Sequence, residues 1–77
     1  MNIGKNIKSI RKSQGVTQVY VAKELGIPYQ TYNNYENGKR TPQPDVLLAI
    51  AKVLNVSIEK IFEEEIYESK NLKREAV

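Results

Sequence analysis

The sequence contains no cysteine, no histidine and no tryptophan. Without cysteine there are no disulfides and no thiolate–zinc sites; without histidine there are no imidazole metal sites and no histidine general base. Cysteine and histidine nucleophiles fall with them, and neither a metal nor a cofactor is expected. Long apolar runs are missing as well: none approaches the ~18 residues of a membrane span, and no apolar h-region follows the start. Neither a membrane segment nor a signal peptide is expected, and the expected location is cytoplasmic. The sequence also lacks a strand-type alternation of apolar and polar residues.

Seventy-seven residues suffice for one domain. A chain this short buries only about 60% of its unfolded surface, which leaves little room for a deep substrate cavity. With no disulfide or metal to staple it, stability has to come from packed apolar helix faces. The net charge of +3 is unevenly placed. Residues 1–40 carry seven basic side chains (Lys5, Lys8, Arg11, Lys12, Lys23, Lys39, Arg40) against Glu24 and Glu36, a net +5, whereas residues 41–77 carry five against seven, a net −2. A segregated basic face points to a polyanion partner, although exposed lysines also serve plain solvation.

Helical spacing organises what is present. Ile3, Ile7 and Ile10 form one stripe of a helix over about 2–14, with Lys5, Lys8, Arg11 and Lys12 on the other side. Gly15 can end it, and Thr17 can accept a backbone N–H to begin a second helix, about 17–25, that buries Val21, Ala22 and Leu25. Gly26 follows, then Pro28, favoured at the first position of a helix because its missing N–H costs nothing there. Helix 3, about 28–36, is expected to bury Ile27, Tyr32 and Tyr35 and to expose Tyr29, Gln30, Asn33 and Asn34, a polar, uncharged, amide-rich face. Asn37-Gly38 ends it before a basic, proline-punctuated loop, Lys39 to Pro44. Pro44 and Asp45 open helix 4, about 44–54, with apolar Leu47, Leu48, Ile50, Ala51 and Leu54; Asn55 closes it. Ser57 is the expected N-cap of a short fifth helix carrying Ile58, Ile61 and Phe62. The reading is an all-α domain of five helices over residues 1–62. Residues 63–77 change character, with three consecutive glutamates and few aliphatic anchors, and read as a frayed helical extension or disordered tail, or more sharply as a partner-binding helix.

Two short helices joined through Leu25-Gly26-Ile27 fit a helix-turn-helix, whose second helix enters the major groove. The wider pattern is more specific: Ile10-Arg11-Lys12, Gly15-Val16-Thr17-Gln18, Ala22, Leu25-Gly26-Ile27, Tyr35-Glu36-Asn37-Gly38-Lys39-Arg40, Pro42, Leu47-Leu48, Ile50-Ala51-Lys52, Leu54-Asn55-Val56-Ser57 and Phe62. Over about residues 3–62 this resembles the phage-repressor family of helix-turn-helix domains, which includes lambda repressor and Cro. The resemblance implies base reading by Tyr29, Gln30, Asn33 and Asn34: Gln and Asn amides bond adenine N6 and N7 bidentately, and a tyrosine ring packs on a thymine methyl. It implies phosphate contacts from Gln18, at a helix start that favours anions, and from Asn37, Lys39 and Arg40. It implies that Arg11 pairs with Glu36, with Arg11 also near a phosphate. Three positions depart from the family pattern. Pro28 stands where a Ser or Thr cap is usual, and Val19 and Tyr20 replace acidic residues after the Thr-Gln pair.

The expected function is that of a double-stranded-DNA-binding transcriptional regulator, a repressor, acting as a homodimer on a pseudo-palindromic operator. Its expected dimer contacts are Phe62, Ile66, Tyr67 and Leu72. The alternative is a protein-interaction module of antitoxin or anti-repressor type that also binds DNA and grips a protein partner through its tail. No enzyme is expected, since carboxylates and tyrosines are the only acid–base material and the Glu63-Glu64-Glu65 run lies in the tail, away from burial that tunes a pKa.

Overall fold

The computed structural model describes residues 2–63. Within them lie five helices and no strand: α1 (Ile3–Ser13), α2 (Gln18–Leu25), α3 (Tyr29–Asn37), α4 (Pro44–Val53) and α5 (Ile58–Phe62). None of these helices is long and apolar enough to cross a membrane. The all-α, five-helix expectation is met, and the helix ends explain themselves chemically. The Asn2 side chain accepts from the Lys5 N–H at 2.9 Å, and the Thr17 hydroxyl accepts from the Tyr20 N–H at 3.0 Å, so α1 and α2 each begin on a side-chain cap. Gly26, at φ 72°, takes the left-handed conformation that ends α2 and lets α3 begin three residues later. Asn55 turns the chain beyond α4 with φ 57°, a conformation that asparagine tolerates better than most residues.

One local expectation needs correcting. Pro28 is the N-cap of α3, not its first residue: its ψ of 145° is extended, its carbonyl accepts from the Tyr32 N–H, and the helix runs one residue later than read from sequence. Ser57 stands at the N-cap of α5, but its side chain makes no capping bond. Leu48 is 53% exposed. The reason is angular: Leu47, Ile50, Ala51 and Leu54 already make one stripe of α4, and Leu48 lies about 100° away from Leu47.

The core is a single cluster in which Ile7, Val21, Tyr32, Ile50, Leu54 and Ile61 are fully buried, with Ala22, Tyr35, Leu47 and Ala51 around them. Every helix contributes. α3 packs on α1 and α2, α4 on α2, and α5 on α1 and α4. Two amides fasten the ends of this arrangement. The buried Asn6 side chain donates to the Ile61 carbonyl, and Gln14 Nε2 donates to the Leu54 carbonyl at 2.6 Å, at the close of α4. Gly4 sets how near α1 comes to the end of α3, because a Cβ there would collide with the carbonyl oxygens of Tyr35 and Glu36. The scaffold therefore leaves one side of α3 turned to solvent and holds the other against α1 and α2.

Candidate nucleic-acid interface

At the inner side of α3 a carboxylate is buried: Glu36 is only 3% exposed. An ionised carboxylate offers about four acceptor positions and no donor, and a buried one needs them filled. Here all four are. Glu36 Oε2 accepts from Arg11 Nε at 2.7 Å and from the Tyr32 hydroxyl, and Oε1 accepts from Arg11 Nη2 at 3.2 Å and from Gln18 Nε2 at 2.7 Å. α1, α2 and α3 thus converge on one charge. Arg11 also donates to the Val16 carbonyl through Nη1 at 2.7 Å, its third hydrogen bond within the protein.

The electrostatics follow. Burial alone would raise the Glu36 pKa, but the hydrogen bonds from Arg11, Tyr32 and Gln18, with the arginine charge, outweigh it and hold the carboxyl below the ordinary glutamate range. The bond to Glu36 raises the Arg11 pKa against the opposing effect of burial. Burial, reinforced by the bond to Glu36, pushes the Tyr32 hydroxyl far above the usual tyrosine range, so it remains a neutral donor.

From this anchor a chain of amides runs outward. Gln18 Oε1 accepts from the Tyr29 hydroxyl at 2.9 Å and from Asn33 Nδ2 at 3.1 Å, and Asn33 Oδ1 accepts from Asn37 Nδ2 at 2.8 Å. Separately, Gln30 Nε2 donates to Asn34 Oδ1 at 3.2 Å. Tyr29, Gln30 and Asn37 are exposed, while Asn33 and Asn34 are half-buried, deeper than the sequence reading placed them. Lys39 and Arg40 are exposed just beyond α3, with both backbone N–H groups donating to the Asn34 carbonyl. Arg40 also lines, beside Asn2 and Gly38, a recess of about 240 Å³ next to the start of α1.

The residues singled out from the sequence are therefore brought together with two changes of part. Arg11 is at the edge of full burial and directs three of its five N–H donors to Glu36 and Val16 inside the protein. Gln18 is not simply an outward amide at a helix start: it connects Glu36 to Tyr29 and Asn33. Sequence reasoning missed the Tyr32 hydroxyl as well, counting that residue only as core. A signal was available, since Tyr32–Glu36, Gln30–Asn34 and Asn33–Asn37 are all four apart on one helix, the spacing at which side chains meet. Of the expected dimer contacts, Phe62 is half-buried against the core; Ile66, Tyr67 and Leu72 lie outside the described residues.

Residues 7–61 match the family profile for the helix-turn-helix. The transcriptional regulator ImmR of Bacillus subtilis is 34% identical over 71 residues, covering 92% of this chain and 56% of that protein. The cryptic phage CTXphi repressor RstR of Vibrio cholerae is 34% identical over 61 residues, 79% of this chain and 54% of that protein. Antitoxin PezA of Streptococcus pneumoniae is 40% identical over 55 residues, 71% of this chain and 35% of that protein. The chain spans about half the length, or less, of these curated relatives. No solved structure matches at a significant level. With a buried Arg11–Glu36 pair behind its second turn helix and a family profile covering most of its length, the chain belongs to the phage-repressor-like family of helix-turn-helix domains.

Proposed function

We propose that this chain is a sequence-specific double-stranded-DNA-binding transcriptional repressor, without enzymatic activity, working in the cytoplasm through its helix-turn-helix unit of residues 1–62. The observation that carries the reading is the outer side of α3. Tyr29, Gln30, Asn33 and Asn34 stand there on the second helix of the turn, Tyr29 and Asn33 joined through Gln18 and Gln30 bonded to Asn34, with Lys39 and Arg40 exposed at its end. In the major groove their amides and hydroxyl meet base edges, while Gln18, Asn37, Lys39 and Arg40 meet phosphates. Gln18 retains one amide hydrogen for that purpose; Arg11 acts through Glu36. The likeness to ImmR, a transcriptional regulator, and to RstR, a transcriptional repressor, supports the same reading.

A module of this size covers only about 600–1,000 Å² of protein surface on DNA, so one copy discriminates poorly. Two copies on a pseudo-palindrome, with half-sites about one helical turn apart, supply the specificity, and repression follows from steric exclusion of polymerase. The likeness to an antitoxin favours a second reading, in which residues 63–77 hold a protein partner and DNA binding is secondary. Selection of bound sequences from a random DNA pool tests the first reading. A two-fold-symmetric site is the expected result, with the salt slope falling by about 0.9 for each phosphate contact removed by Lys39→Ala or Arg40→Ala. Recovery of no preferred sequence would overturn it.

A further inference from the structure

Hydrogen-bond direction is determined at one end of the Gln18 network. Glu36 is acceptor-only and Arg11 is donor-only, so the place that Gln18 occupies beside Glu36 Oε1 admits its nitrogen and not its oxygen. A flipped amide would set two acceptors against each other. With Nε2 committed inward, Oε1 must point outward, where it accepts from the Tyr29 hydroxyl and from Asn33 Nδ2. A tyrosine hydroxyl has one proton, and in Tyr29 that proton is used on Gln18. What the exposed side of this hydroxyl presents is lone pairs.

We propose that the buried Glu36 carboxylate, acting through Gln18 as a positioning residue, sets the polarity of the Tyr29 hydroxyl, so that it meets DNA as an acceptor and selects adenine or cytosine. The proposal rests on the reading that α3 enters the major groove. There adenine N6 and cytosine N4 are amino donors, whereas guanine N7 and O6 and thymine O4 are acceptors that a lone pair repels. The Gln30–Asn34 pair has no such anchor: its members bond each other, and either amide can turn to suit the base it faces. One face of the helix thus carries a reader of fixed polarity beside readers of adjustable polarity.

The test is binding of the full chain to its selected DNA site and to every single-base variant of it. One position is expected to favour adenine or cytosine over guanine and thymine by about three- to tenfold, the worth of a single net hydrogen bond. Tyr29→Phe, a change at an exposed side chain, is expected to flatten that position alone. Gln18→Ala frees the hydroxyl to donate or accept and is expected to flatten the same position, leaving those read by Gln30 and Asn34 as they were. The proposal is overturned if Tyr29→Phe changes no position, if the position it changes favours guanine or thymine, or if Gln18→Ala leaves the preference at that position intact and only weakens every sequence alike, as loss of its phosphate contact alone would. Failure of the DNA reading itself is distinct, because the unaltered protein then shows no preferred sequence at all.

Discussion

The two halves of the outer face of α3 are made of the same chemistry and differ in what stands behind them. Tyr29 and Asn33 lead inward through Gln18 to a carboxylate with all four acceptor positions filled. Gln30 and Asn34, one helical step around, lead only to each other. An amide tied to a buried charge has one orientation and belongs to the stability of the fold. An amide bonded only to another amide has two orientations of similar energy, and little of the fold depends on it. Recognition and stability are thus joined on one half of the face and separable on the other.

Removing the anchor has the largest expected effect. Glu36→Ala leaves the Arg11 guanidinium, the Tyr32 hydroxyl and the Gln18 amide near the core without their acceptor, and breaking a buried ion pair from one side costs about 3–5 kcal/mol. That is a large part of the stability of a small domain. Urea unfolding measures it. Replacing both partners, Arg11→Met with Glu36→Leu, is expected to recover part of the loss, because an apolar pair of similar volume leaves no lone charge behind. A Glu36→Ala variant as stable as the parent would show that the network merely accompanies the packing of α1 on α3.

Acid tests the same anchor more gently. The folded-state pKa of Glu36 lies below its unfolded value, so its contribution is fully present above the ordinary glutamate range and is lost as the pH falls through the folded value. The charged and titratable partners facing it, Arg11 and Tyr32, both have raised pKa values and do not titrate in that window. Unfolding free energies measured from pH 7 downward should therefore hold steady with respect to this group until the glutamate range and then decline. The Glu36→Gln variant should lack that part of the decline. Equal slopes in both proteins would place the acid sensitivity on other carboxylates.

The sequence displayed the anchored half only in part. Five helices were legible because their apolar residues keep helical spacing and because Thr17, Gly26, Asn37-Gly38, Pro44 and Asn55 punctuate them chemically. The Arg11–Glu36 pairing was legible only through resemblance, since 25 residues of chain separate them and no periodicity links them. The inward role of Gln18 was hidden for the same reason: an amide at a helix start reads as an outward group until the opposing carboxylate is seen. Asn6 and Gln14 were missed because each answers a carbonyl far along the chain, at Ile61 and Leu54, and polar residues in an amphipathic helix are counted as solvent-facing by default. Local pattern reports which side chains share a face; it is silent about which distant backbone atom needs a donor.

The unanchored half gives the smallest expected change in stability and with it the sharpest form of the comparison. Gln30 is exposed and its hydrogen bond is to Asn34, four residues on, so Gln30→Ala removes one solvent-accessible amide pair and should shift the unfolding free energy by no more than about 0.5 kcal/mol. Alanine's higher helix propensity offsets part of even that. On DNA the same substitution should remove discrimination worth about 1–3 kcal/mol at one or two base positions, because a side-chain amide bonds adenine bidentately and alanine makes no such bond. Unfolding and single-base-variant binding, measured on one preparation, separate the two effects. Equal loss of affinity on every sequence would make Gln30 a contributor to general docking. A large loss of stability would mean that the two halves of the face are not independent, and that the amides at Gln30 and Asn34 also depend on the Glu36 network.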